Sequence, residues 1–401
     1  MVEKEQLMKK KRILAISYLF PNCNQPNHGI FVLNRLKAIS RYADVTVINP
    51  IPNSPLHRFI DKFSALKSIP DKEELGGLTV YHPRFLSIPG FLKSIEISTY
   101  KRAVEGVIKQ IDMDFDLVDL HWTFPDLPTG YYLREKYNVP FNVTLRGMEA
   151  FHFQDQDIRQ KTVAKYLREA DQVISLSEEM ALAADKIAQT GERTTVIRNG
   201  VDTDKFYYLD KAECREKLGL DQTQQIILGV GALIKRKGFD LVIHALAELI
   251  RQPQFSNLVF YILGAQGAEG DYRAELKNYV TEHGLEKHVV FQGAVLNQDL
   301  ITWYNAVDVF CLSSRGEGSP NVLTEALACG TPAIASKVGS VPEIMASEPN
   351  LGVAFDSENV QQIVEALKQV LTVDFDRKEN ARQFSRYTWD WCASKCLQIL
   401  D

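Results

Sequence analysis

Short runs of apolar residues alternate with longer amphipathic segments along the whole chain. This alternation is typical of parallel α/β units, in which a buried strand is followed by a helix that covers the sheet. The strands predicted in the first half are residues 12–19, 45–50, 78–83, 116–121, 141–146, 172–177 and 194–199. Those predicted in the second half are residues 224–231, 257–264, 289–293, 308–313, 332–336 and 352–355. The pattern therefore predicts an α/β protein.

A polar segment without a strand pattern, residues 199–213, separates the two series of strands. A chain of 401 residues is too long for one ordinary core and suits two domains. We predict an N-terminal Rossmann-like domain (1–198), a C-terminal Rossmann-like domain (199–375) and a terminal helical segment (376–401). In such a protein the two parallel sheets face each other across a cleft, and ligands bind at the carboxyl ends of the strands.

Composition narrows the class of protein. The chain is 45% hydrophobic and 24% charged with a net charge of −5, which suits a soluble protein and argues against a nucleic-acid partner. The six cysteines include no C-x-x-C pair, and Cys311 and Cys329 stand in apolar segments. We interpret them as reduced thiols of a cytoplasmic protein.

The N-terminal residues 9–21, KKKRILAISYLFP, resemble a signal peptide in having a basic flank and a short apolar core. No small-residue cleavage site follows, so we favour a first buried strand. No apolar run in the sequence approaches the roughly 18 residues of a membrane span.

The segment at 313–332, SSRGEGSPNVLTEALACGTP, contains the signals of a short helix. Ser319 is predicted as the N-cap, Pro320 as the first helical residue and Gly330 as the stop just past the end. The free N–H groups of such a helix start can bind an anion.

Two glutamates, Glu317 and Glu325, flank this helix start at a spacing of eight residues. A phosphate at the amides and hydroxyls on the two carboxylates would together suit a sugar nucleotide. The alternative is a surface helix with two solvated glutamates, since glutamate is usually exposed.

The same segment resembles the retaining glycosyltransferases of the large sucrose-synthase-like group 1 family, which have the two-Rossmann-domain GT-B architecture. The resemblance lies in the E-x7-E pattern followed by an A-x-x-x-G-x-P tail, which reads ALACGTP at 326–332. It implies that Glu317 meets the hydroxyls of the transferred sugar and Glu325 those of the ribose. It also places the donor diphosphate at the amides of Asn321 and Val322, beside Gly318 and Ser319.

A glycine- and lysine-containing loop follows the strand at 224–231 and reads GVGALIKRKG from Gly229. The family has G-R-L-x-x-x-K-G here, and its arginine and lysine hold the diphosphate. Lys237 matches the family lysine, whereas Ala232 replaces the arginine. The second positive charge at the diphosphate then comes from Lys235 or Arg236, or is absent. Alternatively, the cluster is a solvated loop.

Three smaller features complete the predicted donor side. Gly231 ends the first strand of this half, and the glycine-rich turn beginning at Gly264 resembles one that closes over the nucleotide. Gly293 and Val295 resemble a segment that contacts the base through backbone groups. Backbone contacts do not distinguish uracil, guanine and adenine. The family uses no obligatory metal, so we expect neither a metal nor a cofactor.

The first domain resembles the acceptor side of the family, and the resemblance implies that the C-terminal helix predicted at 376–401 crosses back onto it. The sequence alone also permits that helix to pack on the second domain. Gly29 lies in a loop that faces the transferred sugar, although turn chemistry explains the loop composition equally well. The family motif H-G-x-D is replaced by a segment in which Arg146 stands for the histidine and Glu149 for the acidic residue. An arginine cannot act as a base but can bind an acceptor phosphate. His121 is either the local acid/base or a structural histidine.

Residues 54–67 predict an amphipathic helix with basic residues around its apolar stripe. The first interpretation is a core-facing helix. The alternative is docking on an anionic membrane or a lipid-linked acceptor, aided by the basic residues at 9–12.

These features together predict a retaining glycosyltransferase of hexosyltransferase type. It would move a sugar from a nucleotide-diphosphate sugar to a glycan or lipid-linked glycan, in cell-surface or exopolysaccharide biosynthesis, with possible peripheral contact at the inner face of the membrane. The alternatives are a nucleotide-sugar epimerase or phosphorylase on the same fold, or a non-catalytic sugar-nucleotide-binding subunit.

Overall fold

The computed structural model describes residues 10–54, 66–87, 93–147, 158–267 and 269–400. It separates into two compact units. One comprises Met1–Asn199 with Trp389–Asp401, and the other comprises Gly200–Thr388.

Strands and helices alternate through both units. The strands are β1 (Arg12–Ile16), β2 (Asp44–Ile48), β3 (Ile51–Asn53), β4 (Lys72–Leu75), β5 (Leu78–Tyr81), β6 (Arg84–Leu86), β7 (Leu117–Leu120), β8 (Phe141–Thr144), β9 (Gln172–Ser175), β10 (Thr194–Val196), β11 (Gln225–Val230), β12 (Leu258–Leu263), β13 (Val289–Gly293), β14 (Val309–Leu312), β15 (Ala333–Ser336) and β16 (Gly352–Phe355). The helices are α1 (Ile30–Ile39), α2 (Lys93–Gln110), α3 (Asp126–Tyr137), α4 (Ile158–Leu167), α5 (Glu178–Ala188), α6 (Lys211–Leu218), α7 (Phe239–Leu249), α8 (Arg273–Glu282), α9 (Leu300–Ala306), α10 (Asn321–Ala328), α11 (Val341–Ser347), α12 (Val360–Thr372), α13 (Arg377–Phe384) and α14 (Trp389–Leu400).

The first unit is built on an eight-stranded sheet in the order β10-β9-β8-β7-β1-β2-β5-β4. Its neighbours are parallel except β4 and β5, which form an antiparallel edge pair. The central strand β1 is buried on both faces: Leu14 and Ile16 join one apolar cluster, and Ile13 and Ala15 join another. Alternate side chains therefore pack under separate layers of helices, as expected for a parallel sheet.

The second unit is built on a six-stranded parallel sheet in the order β13-β12-β11-β14-β15-β16. Counted within the unit, this order is 3-2-1-4-5-6, the arrangement of a dinucleotide-binding Rossmann fold. The order reverses between β11 and β14, where Ile227 pairs with Val309. Two loops leave these strands at their carboxyl ends, which is where such folds bind ligands.

Every predicted strand interval overlaps an observed strand, although most strands are shorter than their apolar runs. Three of the strands in the described residues were missed. The edge strand β4 has the sequence KEEL, which is half-exposed and has no apolar run to reveal it. The pair β3 and β6 has three residues in each strand, too short for a period-two pattern.

The terminal segment predicted at 376–401 contains two helices, α13 and α14. The first of them, α13, belongs to the second unit. Hydrogen bonds hold α13 in this unit, because Arg377 donates to the carbonyl oxygens of Val307 at 3.0 Å and Tyr304 at 3.1 Å. Only α14 groups with the first unit, where Cys392 packs in the same apolar cluster as Leu36 of α1.

Two sequence predictions fall largely outside the described residues. The amphipathic segment at 54–67 is described only at Ser54, Leu66 and Lys67, and Glu149 is not described. Among the described helices, none has both the length and the apolar character that a bilayer span requires.

Candidate functional site

The loops after β11 and β14 meet at the point where the strand order of the second unit reverses. Gly238 follows a 3₁₀ turn, Lys235–Lys237, and has a φ of 66°, a conformation that side chains rarely adopt. A Cβ atom on Gly238 would lie 2.0 Å from the carbonyl oxygen of Ser313. The glycine therefore lets the basic loop touch the backbone of the loop that follows β14.

This contact brings Lys237 against Glu317. Their Nζ and Oε1 atoms are 2.6 Å apart, and the hydroxyl of Ser314 donates to the same oxygen at 2.6 Å. Nη1 of Arg236 lies 3.6 Å from Oε2 of Glu317. The side chains of Lys237 and Glu317 are only 16% and 12% exposed, so the ion pair is mostly shielded from water.

Glu317 is ionised in this environment. Burial by itself opposes ionisation, but the neighbouring charges of Lys237 and Arg236 and the hydrogen bond from Ser314 outweigh it and lower the pKa of Glu317. The fold therefore holds a carboxylate and two cations together at the carboxyl end of β14.

Arg315 holds the basic loop in place. Its guanidinium donates to both carboxylate oxygens of Asp240, at 2.9 and 2.8 Å, and to the carbonyl oxygen of Lys235 at 2.5 Å. Its backbone N–H donates to the carbonyl oxygen of Arg236 at 2.7 Å. Sequence reasoning missed Arg315 because nothing in the pattern links it to Asp240, which is 75 residues away.

The helix after Glu317 begins one residue later than predicted. Pro320 has a ψ of 100°, which is extended, so it is the residue before the helix and Asn321 is the first helical residue. Ser319 is therefore not the N-cap. The predicted stop is present: Gly330 has a φ of 74°, and a Cβ atom there would lie 1.9 Å from the carbonyl oxygen of Arg377.

Glu325 lies on α10 and is separate from the Lys237 pair. Its Oε2 accepts a hydrogen bond of 2.9 Å from the hydroxyl of Tyr304. Burial raises the pKa of Glu325 to about 7, against the opposing effects of the Tyr304 hydrogen bond and the charge of Lys205. Glu317 and Glu325 thus have different protonation behaviour within one short segment.

The predicted donor-side glycines lie at the ends of three neighbouring strands. A Cβ atom on Gly264 would lie 1.8 Å from the carbonyl oxygen of Gly231, and the N–H of Gly264 donates to the carbonyl of Gly293 at 2.8 Å. Val295, two residues further along, is half-buried. Ala232 also faces this region, because a Cβ atom on Gly267 would lie 2.9 Å from its side chain.

In the first unit, the predicted Gly29 precedes α1 with a φ of 73°. A Cβ atom there would lie 2.6 Å from the carbonyl oxygen of Leu19. Only glycine allows the loop after β1 to fold back this closely before the helix begins.

Arg146 and His121 are in direct contact at the carboxyl ends of β8 and β7. Nη2 of Arg146 lies 2.7 Å from Nδ1 of His121, and Nη1 donates to Asn199 at 3.2 Å. The guanidinium also lies over the ring of Phe31, 5.3 Å from its centre. Arg146 is 6% exposed and His121 is fully buried.

The contact with Arg146 determines the tautomer of His121. Arginine only donates, so Nδ1 must hold a lone pair and the ring proton must be on Nε2. Nε2 lies 3.1 Å from Asp119, although without the geometry of a regular hydrogen bond. Burial, together with the charges of Arg146 and Arg35, lowers the pKa of His121 despite Asp119. The histidine is therefore neutral, with both ring nitrogens facing protein groups.

A second buried arginine, Arg35, extends this cluster. Its terminal nitrogens donate to Thr144 and to the carbonyl oxygen of Ile197, both at 3.3 Å. A hydrogen bond from Cys396, with the charges of Arg35 and Arg146, lowers the pKa of the Cys392 thiol to about 6 against the effect of burial. Sequence reasoning missed Arg35 because nothing distinguishes it from a solvated helix residue until α14 and the sheet cover it.

Within the part of the chain that the structure describes, no group of three or more histidine, cysteine, aspartate or glutamate side chains could hold a metal ion. The candidate site of the second unit consists of the Lys237–Glu317 ion pair, the second cation Arg236, the N-terminus of α10 and the separate carboxyl group of Glu325.

Two family models match this chain and together cover most of it. Residues 210–390 match glycosyl transferases group 1, and residues 20–205 match glycosyltransferase family 4. These two matches, one to each half of the chain, support a group 1 glycosyltransferase.

A relative of known name supports the same family, and two solved structures share the fold. The TuaC protein of Bacillus subtilis (strain 168), whose name assigns it to teichuronic acid biosynthesis, is 28% identical over 367 residues, which are 89% of this chain and 88% of that protein. Sucrose-phosphate synthase from Thermosynechococcus elongatus superimposes with a TM-score of 0.78 at 21% identity, covering 98% of both chains. Anabaena HepE in complex with UDP-glucose gives a TM-score of 0.71 at 18% identity, covering 97% of this chain and 99% of that one. The predicted GT-B fold is confirmed.

In this group 1 glycosyltransferase, the structure joins some predicted residues and separates others. Lys237, Arg236 and Glu317 form one cluster, whereas Glu325 has its own partner, Tyr304. The side chain of Lys235 is exposed. Sequence reasoning missed Tyr304 because no local motif connects it to Glu325, which is 21 residues away.

Proposed function

We propose that this glycosyltransferase moves a sugar from a nucleotide-diphosphate sugar to a glycan or lipid-linked glycan acceptor, with retention of anomeric configuration. The observation that carries the proposal is the shielded Lys237–Glu317 pair, with Arg236 beside it, at the strand-order reversal. The UDP-glucose complex of HepE and the name of TuaC support a nucleotide-sugar donor and a role in cell-surface polysaccharide synthesis.

The donor diphosphate would bind at the N-terminus of α10. The backbone N–H groups of Asn321 and Val322 lie in its first turn, at the positive end of the helix dipole, where anions are favoured. Gly318 and Ser319 lead into this turn. The positive end of the helix and the nearby cations would stabilise the negative charge that develops on the departing diphosphate.

Lys237 would change partners when the donor binds. Without a donor, its charge is balanced by Glu317 at 2.6 Å. A diphosphate carries more negative charge than one carboxylate and would compete for the lysine. Glu317, ionised by its surroundings, would then accept hydrogen bonds from the hydroxyls of the transferred sugar.

Arg236 is the better source of the second cation that the family places at position 232. It lies 3.6 Å from Glu317, whereas Lys235 is exposed and contributes its carbonyl oxygen to Arg315. Arg236 also donates to Glu269 at 2.7 Å and to the carbonyl oxygen of Gly316 at 2.8 Å. Its guanidinium is therefore held beside the ion pair by fixed partners.

On the acceptor side we propose Arg146 as the group that meets an acidic part of the acceptor. His121 and Asn199 anchor its two terminal nitrogens, and Phe31 supports one face. His121 would orient Arg146 rather than transfer protons, since its ring nitrogens both face protein groups. Gly29 and Glu149 remain predicted contacts of the sugar and acceptor.

The proposal is tested by incubating the purified chain with UDP-, GDP- and ADP-sugars and a mixture of glycan and lipid-linked acceptors. We expect transfer from one class of donor, and a product with the anomeric configuration of that donor in its NMR spectrum. An inverted product would refute retention. Conversion of the donor without any acceptor would favour an epimerase, and nucleotide binding without turnover would favour a non-catalytic subunit.

Peripheral contact with the inner face of the membrane is a separate part of the proposal and rests on the sequence of residues 54–67. Flotation with anionic and neutral liposomes tests it. Binding to anionic vesicles that salt removes is the expected result. Absence of flotation with anionic vesicles would remove the membrane contact and leave the transfer reaction unaffected.

A further inference from the structure

Tyr304 is an unusual residue for the second unit because a polar group projects from a fully buried aromatic ring. The ring has no exposed surface and packs edge-on against Phe206 and Phe310, with ring centres 5.9 and 5.8 Å away. Its hydroxyl donates to Oε2 of Glu325 at 2.9 Å. The packing leaves the ring no alternative orientation without opening the core.

The backbone of Tyr304, which lies in α9, is hydrogen-bonded to the chain beyond the C-terminal end of α10, the helix that contains Glu325. Its carbonyl oxygen accepts hydrogen bonds from the hydroxyl of Thr331 at 2.5 Å and from Arg377 at 3.1 Å. Thr331 follows Gly330, the residue that terminates α10. Tyr304 therefore contacts α10 through Glu325 and holds the chain just beyond the end of that helix.

We propose that Tyr304 is a positioning residue for the donor nucleotide, holding the Glu325 carboxylate as an ionised acceptor for the two ribose hydroxyls. This inference rests on the proposed function, because Glu325 is a ligand of the ribose only if the donor is a nucleotide sugar. A carboxylate has about four acceptor sites, so the single bond from Tyr304 leaves enough for two hydroxyls. A protonated carboxyl group would offer fewer acceptors.

The surroundings make this arrangement sensitive to pH. Burial raises the pKa of Glu325 to about 7, and the two groups that oppose burial are the Tyr304 hydroxyl and the charge of Lys205. Cys329 is a further ionisable neighbour, and burial raises its pKa so far that the thiol stays neutral. Removing the hydroxyl of Tyr304 should therefore raise the pKa of Glu325 further, whereas the neighbouring thiol should have no effect.

The test is Tyr304→Phe, with Tyr261→Phe as the matched control. Tyr261 is a tyrosine of β12 whose ring packs against Trp303, 5.4 Å away. Binding of UDP, GDP and ADP is measured by calorimetry between pH 6 and 9, which needs no turnover. We expect wild-type affinity to increase as pH rises through about 7. For Tyr304→Phe we expect the midpoint to move upward and affinity at pH 7 to fall roughly tenfold, the effect of losing one hydrogen bond to a charged group.

Kinetic measurements, and the same substitution in a Glu325→Gln variant, distinguish a positioning role of Tyr304 from a general loss of structure. In Tyr304→Phe the KM for the donor should rise while kcat changes little, and the defect should shrink at pH 9. In a Glu325→Gln background, Tyr304→Phe should have no further effect on the pH profile, since no titrating group remains to be positioned.

Two outcomes would overturn the inference while leaving the proposed function intact. One is a pH profile of Tyr304→Phe that coincides with that of the wild type. The other is an equal loss of affinity at every pH with and without Glu325, which would indicate a purely structural role. Failure of the wild type to bind any nucleoside diphosphate at any pH is a different result, because it would refute the proposed function itself.

Discussion

Replacing Lys237 with alanine should affect both stability and turnover, because this lysine is the main partner of a shielded carboxylate. The Lys237 and Glu317 side chains are 16% and 12% exposed and lie 2.6 Å apart. Breaking a buried ion pair typically costs about 3–5 kcal/mol, since it leaves one charge unpaired. Arg236 at 3.6 Å and the Ser314 hydroxyl would still stabilise the carboxylate. We therefore expect a loss of about 1–3 kcal/mol at pH 7.

The pH dependence of this loss has a definite sign. The folded state lowers the pKa of Glu317, so the pair contributes stability above the pKa of glutamate in the unfolded chain. That contribution disappears as pH falls through the lower folded pKa. The difference in free energy of unfolding between wild type and Lys237→Ala should therefore be largest near pH 7 and shrink below about pH 4.

The assay combines urea unfolding at several pH values with donor turnover. Lys337→Ala is the control, because Lys337 forms a 2.7 Å pair with Asp356 in which the side chains are 49% and 57% exposed. An exposed pair contributes about 0–1 kcal/mol, so the control should unfold and turn over like the wild type. Lys237→Ala should lose more than about tenfold in kcat, equivalent to ~1.4 kcal/mol of transition-state stabilisation.

A stability loss for Lys237→Ala that is the same at pH 7 and pH 3.5 would refute the coupling to Glu317. Unchanged turnover would refute the role of Lys237 at the leaving diphosphate, even if stability fell as expected. A loss of unfolding free energy no larger than that of Lys337→Ala would show that the Lys237–Glu317 pair is exposed to water in solution.

Three further predictions test other parts of the structure. Gly330→Ala should lower the free energy of unfolding in urea by several kcal/mol, because the added Cβ would lie 1.9 Å from a carbonyl oxygen. The control Gly284→Ala, with a similar φ but open space around it, should lose only about 1 kcal/mol, and equal losses would contradict this prediction. In the wild type, the free energy of unfolding should fall below about pH 6.5, because the unfolded chain binds a proton that the buried His121 resists. In His121→Gln this decrease should be smaller, and an unchanged pH dependence would show that His121 titrates normally. Dialysis against EDTA should leave turnover unchanged, and a loss that Mg²⁺ or Mn²⁺ restores would show that a metal is needed.

Most of the fold could be predicted from the sequence, because parallel strands buried on both faces are continuous apolar runs. The runs at 257–264 and 289–293 correspond directly to β12 and β13. Strand ends were overestimated where apolar residues continue into loops. The polar edge strand β4 and the division of residues 376–401 between two units could not be predicted, because each depends on which surface a segment meets.

The candidate site was predicted in part, and the reason differs between residues. Glu317 and Lys237 were found because a local motif surrounds each, although 80 residues separate them. Arg315 and Tyr304 act only through distant partners, Asp240 and Glu325, and no local pattern distinguishes them.

The sequence by itself determined the α/β class, the two series of strands and the family motif from Glu317 to Pro332. These depend on local periodicity and on residue types at fixed spacing. Tertiary structure decided the chemical state of each group. It lowered the pKa of Glu317 by placing Lys237 beside it, and raised the pKa of Glu325 by burying it, although the hydrogen bond from Tyr304 acts in the opposite direction. Two glutamates of one motif acquire different properties because burial and neighbouring charge exist only after the loops have met.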